Sequence, residues 1–166
     1  MDLDPTEAES CDKDHENESD FEVYNHVCLG GTFDRIHLGH KILLTQAALR
    51  CKSKLTVGVT DQAMLQSKKL SELIQPVEIR MQKVQEFLDQ IRANENFVTA
   101  ISDPFGPAIT DESIECIVAS QETKRGCDKI NQIRAEKNFK PLDVFLIDLV
   151  QDSAHELTQL EETKIR

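Results

Sequence analysis

From residue 25 onward the chain alternates short apolar runs with longer stretches in which apolar positions recur every three or four residues. Residues 25–29 form the first run, closed by Gly30 and Gly31. Residues 39–51 come next, with Ile42, Leu43, Ala47 and Leu49 at helical spacings and Lys52, Ser53 and Lys54 marking the end. The β-branched run at 55–60 predicts a second strand, and Gly58 inside it predicts close approach of another group to the backbone. Pro76 is placed to start a helix over 77–91, whose apolar face carries Val77, Met81, Val84, Phe87, Leu88 and Ile91. Further strands are predicted at 97–101, 114–119 and 144–147. Between them, Asp103-Pro104-Phe105-Gly106-Pro107 sets two prolines around a glycine and predicts irregular backbone. Over 121–138 the apolar positions thin to Ile130, Ile133 and Ala135, which predicts a partly exposed helix.

Strands that alternate with helices require a parallel sheet covered by crossovers. With right-handed crossovers, the expectation is an α/β, Rossmann-like, open, doubly wound parallel five-stranded sheet with helices on both faces. Ligands bind such sheets at the carboxyl ends of the strands, where the strand order reverses. The loops to inspect are therefore 30–40, 60–71, 102–109 and 120–127.

Composition narrows the classes. At 166 residues and 39% hydrophobic the chain can bury a core but is too short for two enzyme domains. It has no run of about 18 apolar residues, and its first residues are acidic, so neither a membrane span nor a secretory leader is expected and a cytoplasmic location is. The net charge is −11, and residues 1–22 hold ten carboxylates against one lysine. Binding to nucleic acid or to an anionic membrane is not expected of such a chain. Residues 1–24 read as a disordered acidic tail, and 25–166 as the folded domain. The five cysteines are odd in number and lack a Cys-x-x-Cys pair, so neither a zinc site nor a catalytic thiol is expected.

Chemistry concentrates in the first loop, Gly30-Gly31-Thr32-Phe33-Asp34-Arg35-Ile36-His37-Leu38-Gly39-His40. Glycines let a polyphosphate come close to the main chain, and the helix start that follows offers unpaired N–H groups. His37 and His40 are three apart, so they share one face of the first turn and can donate to phosphate oxygens. The spacing is neither Gly-x-Gly-x-x-Gly nor the P-loop pattern. A His-x-x-His pair could also ligate a metal, but no third ligand of matching spacing lies nearby, and no metal-binding residues are assigned.

Gly31-Thr32-Phe33-Asp34 followed by His37-Leu38-Gly39-His40 resembles the first signature of the nucleotidyltransferase α/β-phosphodiesterase superfamily. Taken with Lys68-Lys69, Asp103-Pro104-Phe105-Gly106-Pro107 and Glu122-Thr123-Lys124-Arg125-Gly126, it resembles the eukaryotic phosphopantetheine adenylyltransferases, as in that domain of coenzyme A synthase. The resemblance implies reaction of ATP, carried with Mg²⁺, with 4′-phosphopantetheine to give dephospho-coenzyme A and pyrophosphate. It implies a catalytic role for His40 at the α-phosphate and for Lys68 between the incoming phosphate and the transition state, with Lys69 as the alternative lysine. Gly31, Thr32, Phe33, His37, His40 and Arg125 would bind nucleotide, and Thr32, Lys68, Thr123 and Lys124 the second substrate. Phe105 would help shape the pantetheine channel; Asn131 and Arg134 also resemble family positions, though a solvated helix face explains them equally well.

The family carries a Ser-Ser-Ser-x-x-Arg motif after the fifth strand, and the sequence reaches Arg166 where that motif should begin. Either the sequence is a truncated form, or binding of the β- and γ-phosphates is weakened, and losing those donors is expected to cost on the order of 10²-fold or more in rate. Two other readings remain at this stage: another nucleotidyltransferase of the superfamily, acting with CTP or on a nicotinamide nucleotide, or a non-catalytic nucleotide-binding module. A dephospho-coenzyme A kinase, fused or separate, is the implied partner, and its P-loop is absent from this sequence. Ile130 and Ile133 fit a core stripe or a dimer seam, so the oligomeric state is left open.

Overall fold

The computed structural model describes residues 21–92 and 95–148. Five strands, β1 (Tyr24–Gly31), β2 (Cys51–Thr60), β3 (Glu95–Ile101), β4 (Cys116–Ser120) and β5 (Asp143–Ile147), form one sheet in the order β3-β2-β1-β4-β5. Every neighbouring pair is parallel. The helices are α1 (Leu38–Leu49), the single turn α2 (Gln62–Leu65), α3 (Val77–Ile91) and α4 (Lys124–Glu136). Short 3-10 turns stand at Ser71–Leu73, Gly106–Ile109 and Gln121–Thr123. This is the α/β, doubly wound parallel sheet expected from the alternation of patterns.

Side chains alternate across the sheet, so a central strand feeds two cores. On one face Val27, Leu29, Leu55, Val57 and Val59 pack against Leu43, Leu44 and Ala47 of α1 and Val84 and Leu88 of α3. On the other, Cys28, Ile117 and Ala119 pack with Cys127 and Ile130 of α4, Ala108 and Leu142. Ile130 therefore belongs to a core stripe. Each large apolar side chain buried this way contributes roughly 1.5–3 kcal/mol.

Several boundaries differ from the sequence reading, each for a packing reason. The first helix ends at Leu49, and Cys51 opens β2 four residues before the expected start. Cys51 and Lys54 pair with Tyr24 and His26 across a register shift that takes in Lys52 and Ser53, and Lys54 lays its ammonium 4.5 Å from the Phe97 ring. Gly30 and Gly31 are strand rather than loop, held by pairing to Gly58 and Val59. β4 starts at Cys116 rather than 114, since the carbonyl of Ile114 is taken by Arg134. Tyr24, placed in the tail by the sequence, is the first residue of β1, and the Arg50 guanidinium lies 4.4 Å from the Phe21 ring and 3.3 Å from the Phe145 ring. The rest of the acidic segment, residues 1–20, and the chain from 149 on lie outside the described residues.

Of the two readings of Arg134, the structure excludes the solvated helix face. The side chain is fully buried and donates to the carbonyls of Lys140, Ala108, Asp111, Glu112 and Ile114 at 2.8–3.3 Å. One guanidinium thus fastens the β3–β4 connection to α4. Asn131 closes the next loop, accepting from Leu142 N and donating to Leu142 O. A second buried polar group, His26, bridges Thr56 at 2.8 Å and Ser113 at 2.9 Å, and Ser113 donates to Asp111 at 2.6 Å.

Three stability measurements follow. Arg134→Met strands several buried carbonyls and is expected to cost at least about 3 kcal/mol in urea unfolding. Gly106 has φ +51° and an added Cβ would stand 2.8 Å from Ile101 Cγ2, so Gly106→Ala is expected to cost about 1–3 kcal/mol. Gly126, in α4 with nothing within 4 Å of an added Cβ, is the control, and alanine there is expected to gain up to about 1 kcal/mol. Desolvation lowers the pKa of His26, so the folded chain holds it neutral while the unfolded chain protonates it below about pH 6.5. The unfolded state then binds more protons, and thermal melts should show stability falling as pH drops through 6.5, less steeply in His26→Gln.

Candidate active site at the parting of two central strands

β1 stays paired to β2 as far as Gly31↔Val59, and β4 to β5 as far as Ser120↔Ile147. Between β1 and β4 the register runs only over Val27↔Cys116 and Cys28↔Ile117. The two central strands thus part towards their carboxyl ends, with α1 leaving on one face and α4 on the other. This is the switch point at which such a sheet leaves an open crevice. Gly30 shows it: it belongs to the central strand and is nonetheless exposed.

The loop from β1 to α1 closes one side of the crevice. Phe33 takes a left-handed φ of 52° and folds its ring under the strand end, 1% exposed. That ring requires Gly31, because a Cβ there would lie 3.1 Å from Phe33 Cε2. Asp34 anchors the loop from outside: it accepts from Gln75 N at 3.0 Å and from Arg35 at 2.7 Å, and Arg35 reaches on to Leu73 O at 3.0 Å. From inside, the fully buried Arg80 of α3 donates to Thr32 O at 2.8 Å, Gln75 O at 2.8 Å and Gln62 Oε1 at 3.0 Å.

At the start of α1 two histidines replace the usual hydroxyl and carboxylate cap. His37 Nδ1 accepts from Gly39 N at 3.2 Å, and His40 Nδ1 accepts from His37 N at 3.4 Å. An Nδ1 that accepts carries no proton, so each neutral ring holds its N–H at Nε2. The rings stack at 3.8 Å, with His40 tilted against Phe33 at 5.3 Å. Burial, and next the neighbouring His37, push the His40 pKa down to about 4. His40 is therefore a neutral donor at physiological pH.

Opposite stands Lys68, in the loop between α2 and the Ser71–Leu73 turn, donating from Nζ to Thr32 Oγ1 at 3.2 Å. Thr60 donates to the same oxygen at 3.3 Å. With both lone pairs engaged, the Thr32 hydroxyl keeps its own proton for a further acceptor. Thr32, Phe33, His37, His40 and Lys68 are thus assembled around the end of β1. Thr123, Lys124 and Arg125 are exposed at the end of β4, where Thr123 donates to Ser120 O at 3.0 Å. They stand across the parting from the first group and form no hydrogen bond with it. Lys69 is exposed beside Lys68. Phe105 is half-buried against the second core, on a loop closed by Asp103, which accepts from Phe105 N and Gly106 N. Residues 149–166, the stretch that leads to where the serine motif should begin, lie outside the described residues.

This donor set suits anions. Its hydroxyl, ammonium and imidazole N–H groups point to phosphate, while Asp34 and Asp61 are occupied by backbone N–H groups. Among the described residues no cluster of three or more His, Cys, Asp or Glu side chains could hold a metal ion. The sequence reading missed Arg80, Gln62 and Thr60. A signal for Arg80 existed: it stands four residues before Val84 and eight before Leu88, on the apolar stripe of α3, where a charge has to find partners.

Comparison with known proteins places this geometry. Residues 28–166 match the cytidylyltransferase-like family model. The chain is 38% identical over 143 residues to a phosphopantetheine adenylyltransferase of Methanothermobacter thermautotrophicus, covering 86% of this chain and 84% of the relative. It is 37% identical over 140 residues to an uncharacterized protein of Schizosaccharomyces pombe, covering 83% of this chain but only 44% of that longer protein. Among solved structures, an Archaeoglobus fulgidus protein of unknown function superposes with TM-score 0.67 at 31% identity, over 74% of this chain and 89% of its own. No helix among the described residues is long and apolar enough to cross a membrane. With its first-loop signature, its parallel sheet and its matched length, the chain belongs to the cytidylyltransferase-like family, among the nucleotidyltransferases of phosphopantetheine adenylyltransferase type.

Proposed function

We propose that the chain transfers the adenylyl group of ATP to 4′-phosphopantetheine, giving dephospho-coenzyme A and pyrophosphate. The observation that carries this reading is the Thr32–Lys68 contact of 3.2 Å beside the stacked His37 and His40, in a chain so similar to a named phosphopantetheine adenylyltransferase. A phosphate nucleophile is already ionised near neutral pH, so the reaction needs alignment and charge neutralisation rather than a general base. An acceptor-phosphate oxygen forms a bond to the α-phosphorus, the bond from that phosphorus to the bridging oxygen of the β-phosphate breaks, and pyrophosphate carries the electron pair away.

Each residue's part follows from its donors. Lys68 and the Thr32 hydroxyl hold the acceptor phosphate and steer it to the α-phosphorus. The Nε2–H of His40 donates to α-phosphate oxygens as charge builds on them, and His37, stacked upon it, holds the nucleotide. Gly31 and the Phe33 main chain let the triphosphate approach the backbone. Across the parting, Arg125 meets nucleotide phosphate, and Thr123 and Lys124 the second substrate. Mg²⁺ would be held by the triphosphate oxygens, since the protein groups here are donors, and it supplies neutralisation of the leaving pyrophosphate. The product would be consumed by a kinase, fused or separate, in the cytoplasm.

Pyrophosphate release from ATP and Mg²⁺ with and without 4′-phosphopantetheine tests the reading. Release is expected only with the acceptor, and His40→Ala and Lys68→Ala should each lower kcat by about 10²–10³-fold. Release that depends equally on CTP, or on a nicotinamide nucleotide as acceptor, would replace the proposed substrates. ATP binding without release under any of these conditions would sink the enzymatic reading.

A further inference from the structure

Arg80 is fully buried and, among the described residues, is in no ion pair. Asp34, Asp61 and Glu78 act on it only from a distance. Burying a guanidinium without a carboxylate is costly, and the position lies on the stripe that Val77, Met81, Val84 and Leu88 make apolar. If packing were all that mattered, a methionine there would serve better. What a guanidinium adds is a rigid planar fork whose donors have fixed directions.

Those donors reach three separate segments. Nη1 takes Thr32 O in the first loop, Nη2 takes Gln62 Oε1 in α2, and Nε takes Gln75 O just before α3. Each segment leads directly to a group of the candidate site. Thr32 is itself one. α2 ends at Leu65, whose carbonyl accepts from Lys68 N at 3.0 Å and so sets where the Lys68 side chain starts. Gln75 N bonds Asp34, which holds the first loop from the other side.

We infer that Arg80 is a positioning residue for nucleotidyl transfer: its fork fixes the distance between Thr32 and Lys68 by gripping both of the loops that carry them. The inference rests on the function proposed above for those two groups. Misplacing a reacting group by about 1 Å can cost 10²-fold in rate while leaving binding largely intact.

The test compares Arg80→Lys, Arg80→Gln and, because Arg80→Gln could fail to fold, Gln62→Ala at the exposed end of the same contact. Arg80→Lys is expected to lower kcat by about 10- to 100-fold with a much smaller change in the KM for ATP. Gln62→Ala should show a smaller loss in the same direction. Lys68→Ala should cost far less in the Arg80→Lys background than in the native chain. Native kcat in folded Arg80→Lys and Gln62→Ala, or losses that simply multiply with that of Lys68→Ala, would overturn the inference. If the unaltered chain turns over no acceptor, the proposed function fails and amide exchange decides the role of Arg80. Faster exchange at Lys68 N and Gln75 N in both variants, by about tenfold or more, supports the strut; native exchange at both removes it.

Discussion

A parallel strand whose two neighbours send their helices to opposite faces cannot have its carboxyl end covered. β1 is in that position. Its chain turns into α1 on one face, β4 turns into α4 on the other, and the two strands separate past Cys28 and Ile117. The crevice follows from topology and strand twist before any side chain is chosen. What the sequence adds is the lining: glycines where backbone must stay bare, a hydroxyl and an ammonium on one side, two imidazoles at the helix start.

That lining is held by groups that do no chemistry. Arg80 works beneath the first loop and Arg134 beneath the β3–β4 connection, each on the core side of a helix and each donating to carbonyl-type oxygens. Irregular backbone near a sheet edge has carbonyls with no ladder partner, and a buried one must be satisfied. A guanidinium satisfies several at once. The two helical layers reach the same solution independently, one for the loop that bears Thr32, the other for the loop that bears Phe105.

Much of this could be read without coordinates. The spacing of Val77, Val84 and Leu88 announced α3, and the glycine–histidine loop announced where the anion site would be. The mismatches have a common origin in tertiary contacts. Lys52 and Ser53 look like a turn, yet they lie in β2 at a register shift between the pairs Tyr24↔Cys51 and His26↔Lys54. Arg134 looks like a solvated residue, because periodicity marks position on a helix and cannot show that five carbonyls converge on that position. The Thr32–Lys68 contact joins residues 36 apart in sequence, and no local pattern contains it.

The parallel register also fixes how the two ends of the described chain are placed. Phe21 packs on Arg50 at the amino edge of the sheet, while Ile147 pairs with Ser120 at the carboxyl edge. The eight residues of β1 separate those edges by roughly 26 Å. Phe21 therefore stands on the side away from the crevice, and Asp148 on the side of the crevice. For anyone attaching a label, Phe21 is the remote handle and Asp148 the intrusive one.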